Sequence, residues 1–101
     1  MASKREEIEE ILVDCYDEEE QISAWEVAFT DDVAVPFQAT LLGIPVEVQG
    51  FRANNANALQ CQVLRDKKQR WVGVEDLDEE SLPPDCRRVL TLYCAWIDGD
   101  Y

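Results

Sequence analysis

A chain of 101 residues, 47% of them hydrophobic, is long enough to bury a core of its own and too apolar to be a disordered polyanion. Its 22 acids against 9 bases leave a formal charge of −13, the wrong sign for a nucleic-acid or anionic-membrane binder. That balance favours cations, a basic partner, or plain solubility. No apolar run nears the length of a membrane span, and six of the first ten residues are charged, so the expected setting is the cytoplasm.

Ser3 followed by Glu6 fits a capping box and opens a helix over about 4 to 14. Ile8, Ile11, Leu12 and Cys15 share one stripe of it. Asp17 with Glu20 is a second capping box, and Ile22, Trp25 and Phe29 carry a second helix to about Phe29, with Val33 just beyond. Glu18, Glu19 and Glu20 stand in its first turn, where the helix dipole favours carboxylates. Asp31 and Asp32 fall at the opposite end, where the dipole opposes them. They are either a solvated loop or, beside unpaired helix-end carbonyls, oxygen ligands for a hard cation.

From Ala34 the apolar period changes to two. Residues 36 to 41 and 44 to 49 read as a hairpin turning at Leu42-Gly43, closed by Gly50 and followed by a surface loop over 52 to 58. Leu59, Cys61 and Val63 alternate in a third strand, and Asp66 to Gln69 turns the chain into a buried strand over 71 to 74. Four of the nine bases lie within 65 to 70, a solubilising tip or a contact for phosphate or an acidic partner. The fourth strand runs straight into Glu75, Asp76, Asp78, Glu79 and Glu80, five carboxylates in six positions. Their mutual repulsion is uncompensated unless cations sit nearby. Prolines at 83 and 84, with Cys86, Val89, Leu90 and Tyr93 at helical spacing, start a third helix over about 83 to 97.

Catalysis has little to work with. The chain has no histidine, so the usual base near pH 7 and the usual activator of a cysteine nucleophile are missing, and no glycine-rich phosphate loop is present. It is therefore expected not to be an enzyme. The four cysteines have no zinc spacing and apolar neighbours, and are expected reduced and buried. No acidic run matches an EF-hand loop, so any calcium site must be assembled from separate elements.

The segment EEILVDCYDEEEQ, then Ala24-Trp25, Pro36-Phe37, Val46-Glu47-Val48 and Trp71 to Leu77, resembles the cyanobacterial calcium-binding protein family called CcbP, over about 6 to 96. The resemblance implies an acidic protein with a helical part before a small β part, which binds Ca²⁺ without EF-hands and becomes more compact on doing so. It also implies a role in regulating cell differentiation. It places Asp31, Asp32, Glu75, Asp76 and Asp78 among the acidic ligand positions. Two departures touch the number and affinity of sites: the aromatic cluster around the second helix is reduced to Trp25 and Phe29, and the stretch after Phe51 is short.

The expected architecture is a single α+β domain over 1 to 101. It has a helical part at about 3 to 33, then a β part at about 34 to 76 forming a small antiparallel sheet or partly open barrel of four to five strands. A C-terminal helix follows. The expected function is a cytosolic Ca²⁺ buffer or sensor that binds neither nucleic acid nor membrane. The alternative is an acidic interaction module that takes a basic protein partner without metal. Asp32 and Asp76 would share one ion if the first and fourth strands paired, and Asp98 with Asp100, or the Asp14 to Glu20 run, would support a second site.

Overall fold

The computed structural model describes residues 3–54 and 56–99. Helix α1 spans Lys4–Ile11, with the Ser3 hydroxyl accepting the Glu6 N–H as the capping box predicts. It stops at Leu12 rather than near residue 14, and Asp14 takes a left-handed φ of 61° that no helix continues through. Helix α2 spans Glu18–Asp32. The Asp17 carboxylate accepts the Glu20 N–H at 2.8 Å, and Glu20 accepts the Tyr16 N–H at 3.1 Å. The helix outlasts its expected end near Phe29, so Asp31 and Asp32 lie inside its last turn.

Four strands follow, β1 Phe37–Leu41, β2 Ile44–Ala53, β3 Leu59–Arg65 and β4 Lys68–Gly73, in an antiparallel sheet of order β1-β2-β3-β4. Gly50 does not close β2 as expected. A bulge between Val48 and Gly50 absorbs one residue, and the strand pairs on to Ala53. The β3–β4 turn is tighter than the four residues expected. Asp66 and Lys67 both have positive φ, 51° and 67°, as a two-residue hairpin turn of the favoured twist requires, so Lys68 already pairs with Arg65. The strand predicted over 71 to 74 is an edge. Trp71 and Val72 are half-buried, β4 ends at Gly73, and the buried Val74 opens a 3₁₀ turn over Val74–Asp76.

Beyond that turn the chain returns across the open side of β1. Leu77 bridges Leu41, the Asp78 N–H donates to the Thr40 carbonyl at 2.9 Å, and a second 3₁₀ turn, Glu79–Ser81, follows. The Ser81 hydroxyl accepts the Thr40 N–H at 2.9 Å. The outer edge of β1 is thereby covered, which removes a template for unwanted strand pairing.

Helix α3, Pro84–Asp98, starts with proline where a missing N–H costs nothing and ends at Gly99 with φ 70°. Trp25 and Phe29 of α2, Val89 and Tyr93 of α3, Val48, Leu59 and Cys61 of the sheet, and Ile8 of α1 are all essentially inaccessible and belong to one cluster. Trp25 meets the Tyr93 ring edge-on at 5.5 Å between centroids, and Phe29 meets Phe51 at 5.0 Å. The Tyr93 hydroxyl accepts the Leu59 N–H at 3.2 Å, tying α3 to the start of β3. Truncating Trp25 or Phe29 to alanine would cost about 3–5 kcal/mol. All four cysteines are free thiols, but only Cys61 and Cys86 are buried, whereas Cys15 and Cys94 are half-exposed.

Candidate metal centre

The five acids singled out by the sequence occupy three different places. Asp32, at the end of α2, faces Arg88 of α3 at 3.7 Å, and the same guanidinium donates to Glu7 of α1 at 3.0 Å. One cation thus joins three helices and offsets the unfavourable position of Asp32 on its own helix. Asp31 stays exposed beside it. Asp85 adds a second link between the end of α2 and the start of α3, its carboxylate accepting the Ala34 N–H at 3.1 Å and the Cys86 N–H at 2.8 Å.

Asp78 sits against the β1–β2 turn. One oxygen accepts the Thr40 hydroxyl at 2.6 Å and the Gly43 N–H at 2.8 Å. The Thr40 hydroxyl, then the Gly43 N–H, hold its carboxyl below the usual aspartate range. Asp78 is therefore a latch with half its acceptor capacity engaged.

Glu75 and Asp76 are different. Both fold back from the 3₁₀ turn over the bare face of Gly73, where a methyl group would meet Glu75 Oε1 at 2.7 Å and Asp76 Oδ2 at 3.2 Å. Two carboxylate oxygens converge on a space that only glycine leaves open. Glu75 also lines a cleft of about 270 Å³ with Glu79 and with Asp98 of α3, and Lys4 of α1 lies on its wall. No lysine or arginine among the described residues stands within 4.0 Å of the carboxylates of Glu75, Asp76, Glu79 or Asp98.

The neighbouring thiols register this field. Burial pushes Cys94 up, and Glu75, Asp98 and Glu79 push it further. Cys61 is pushed up to about 12, first by burial and then by Cys86, with Asp76 and Glu75 adding to it. Burial likewise drives Cys86 to about 12. Such thiols stay neutral near pH 7 and offer no soft thiolate. The donors here are carboxylates, a set suited to a hard cation of the Ca²⁺ kind.

The sheet order answers the expectation that Asp32 and Asp76 share an ion. Strands β1 and β4 lie on opposite edges instead of pairing, Asp32 is engaged by Arg88, and Asp76 lies over Gly73. Among the described residues no three acidic or cysteine side chains are drawn together closely enough to hold an ion as they stand. Asp98 borders the Glu75 cleft as a helix-end acid, while Asp100 lies outside the described residues. Glu79 and Asp98, absent from the sequence-based first site, are brought to Glu75 by the 3₁₀ turns and the far end of α3. Sequence offered only the acidic composition of both stretches as a signal.

A family model described as calcium binding, of the CcbP type, matches residues 6–97. A solved structure described as a calcium binding protein in the calcium-binding form superposes with a TM-score of 0.78 at 21% identity, covering 100% of this chain and 98% of that one. The crystal structure of Anabaena CcbP gives 0.76 at 18% identity, over 96% of this chain and 92% of the other. At these identities the likeness is one of fold. No curated protein matches the chain.

Proposed function

Because the chain belongs to the CcbP family of calcium-binding proteins, we propose that it binds Ca²⁺ at the Gly73 face, with Glu75 and Asp76 as first ligands. The observation that carries this reading is the convergence of those two carboxylates over Gly73 with no cation paired to either among the described residues. Glu79 and Asp98, on the cleft that Glu75 also lines, are the further oxygens within the same acidic field. A bound Ca²⁺ would supply the positive charge that this field lacks, and water with backbone carbonyls would complete its six to eight oxygens.

The roles of the remaining acids follow from their contacts. Asp78 holds the returning segment against β1, and so fixes where Glu75, Asp76 and Glu79 stand. Asp32, with Arg88, holds α3 against α2. Asp31 remains an exposed auxiliary oxygen. The ligands lie on short 3₁₀ turns and a helix end, so gathering them around an ion requires a small inward movement. That response suits a sensor as well as a buffer.

We place this activity in the cytoplasm, where four free thiols fit a reducing compartment. The action is binding without catalysis, and a part in regulating cell differentiation rests on the family alone. Calorimetric titration with CaCl₂ tests the reading. Saturable binding that Glu75→Gln weakens supports it. Heats that track ionic strength alone overturn it, and leave an acidic module for a basic partner.

A further inference from the structure

The helices pack on one face of the sheet and leave its hairpin-tip end uncovered, where Ile44 is exposed. Residues paired across strands point to the same side. The registers Leu41↔Ile44, Ala39↔Val46, Val48↔Val63, Val63↔Arg70 and Arg65↔Lys68 therefore put all of these on the core face. Val48, Leu59 and Cys61 are inaccessible beneath α2 and α3. Toward the hairpin tips the same face opens into a groove of about 330 Å³, where Leu41, Ile44 and Val72 offer apolar surface in front of the buried Val46 and Val63. Arg65, Lys68 and Arg70 rim it, with Asp66 the one acid. Asp66 stands 3.6 Å from Arg65, while no carboxylate among the described residues lies within 4.0 Å of Lys68 or Arg70.

Like charges on directly opposed residues such as Arg65 and Lys68 destabilise a sheet. Charges turned inward on an edge strand do guard against strand addition, and that would account for Lys68 and Arg70 on β4. It does not account for Arg65, which lies on the inner strand β3, or for an apolar floor open beside the charges.

We propose that this groove binds a small amphipathic anion, a carboxylate on an aliphatic tail of medium length. The tail would cover Leu41, Ile44 and Val72, lying over the buried Val46 and Val63, and the head would meet Lys68 and Arg70. The overall charge decides against larger occupants. A net −13 repels an acidic protein, a nucleic acid or an anionic bilayer, each of which presents many charges over a wide surface. A single anion is governed by what lies within a Debye length, about 8 Å at physiological ionic strength, and there the rim is basic.

The test is an amide NMR titration of the full chain with decanoate below its micelle concentration, beside hexanoate, acetate and decanol. Saturable shifts centred on Val46, Val63 and Val72 are expected with decanoate. Affinity should rise from hexanoate by up to about fourfold per added methylene, and acetate should give no saturable shift. Decanol should bind more weakly than decanoate. The double variant Lys68→Ala/Arg70→Ala, altering exposed residues only, should weaken decanoate roughly tenfold and leave decanol unchanged. Equal binding of decanoate and decanol would overturn the proposal. So would shifts spread equally over the exposed Tyr16 and Val27, which mark detergent-like adsorption, or no saturation at all. None of these readouts involves calcium.

Discussion

The Thr40 hydroxyl donates to the Asp78 carboxylate at 2.6 Å across 38 residues, while the Asp78 N–H returns a bond to the Thr40 carbonyl at 2.9 Å. This reciprocal pair fastens the segment after β4 onto β1 at the opposite edge of the sheet. Thr40→Val removes the side-chain half and should lower the melting temperature by about 4–8 °C at pH 7. The folded-state pKa of Asp78 is depressed, so the stability it contributes is present above the ordinary aspartate range and is lost as pH falls through the lower folded value. The gap between wild type and Thr40→Val should therefore close in acid. Thermal melts from pH 7 to pH 2 measure it, and a gap that widens on acidification would refute the assignment.

Calcium should raise the melting temperature more than magnesium does. A ligand bound only by the folded state adds RT ln(1+[L]/Kd), about 2.7 kcal/mol at a hundredfold excess over Kd. Magnesium gives up its water reluctantly and demands stricter octahedral geometry, which carboxylates spread over two 3₁₀ turns and a helix end do not provide. Differential scanning calorimetry with both ions and with sodium chloride at matched ionic strength separates coordination from screening. Equal shifts from all three would leave only screening.

Gly73→Ala is the sharpest probe of the site. Gly73 has φ −62°, a value alanine accepts, so the fold should survive. The new methyl would displace Glu75 Oε1 and Asp76 Oδ2 from the point where they converge. Calcium affinity is expected to fall about tenfold, the order expected for loss of one well-placed charged contact. Asp32→Asn should lower stability, because it loosens Arg88, and leave the calcium isotherm in place. The reverse pattern would move the site to the α2–α3 junction.

Cys94 offers a chemical readout of the same field. Glu75, Asp98 and Glu79 raise its pKa on top of burial, so a divalent cation among them should lower it. Alkylation of Cys94 by iodoacetamide at pH 8 is expected to quicken several-fold when calcium is added, whereas Cys15 keeps its rate. Peptide mapping by mass spectrometry resolves the two. A Cys94 rate indifferent to saturating calcium would place the ion elsewhere.

The legibility of the chain divided along the range of its interactions. Both capping boxes, the apolar stripes of α2 and α3 and the strand alternation are set by neighbours within a few residues, and they could be read directly. The continuation of β2 could not, because a bulge at Gly50 shifts the alternation that marks a strand. Neither could the partner of Asp32, since Arg88 lies 56 positions along the chain and nothing local to either residue points to the other. In the sequence the acidic run from Glu75 to Glu80 is one stretch. The fold divides it, with Asp78 turned to β1, Glu75 and Asp76 over Gly73, and Glu79 toward the end of α3. Charge density alone carries no information about which way each side chain turns.

The fork of Arg88 between Glu7 and Asp32 bears on the order in which the molecule comes apart. Helix α1 has eight residues and buries only Ile8 fully, so that side chain, the partly buried Ile11 and Leu12, and one guanidinium are what hold it to the rest. The hairpins of the sheet are local along the chain, and their amides sit in a continuous ladder. Opening free energies within one protein range from near zero up to the global value, and α1 belongs at the low end. Deuterium should enter α1 well before β2 and β3. Since Lys4 lies on the wall of the acidic cleft, that early peeling also withdraws a positive charge from Glu75 and Asp98. The amino-terminal helix would then act as a shutter whose movement changes the electrostatic welcome an arriving cation meets.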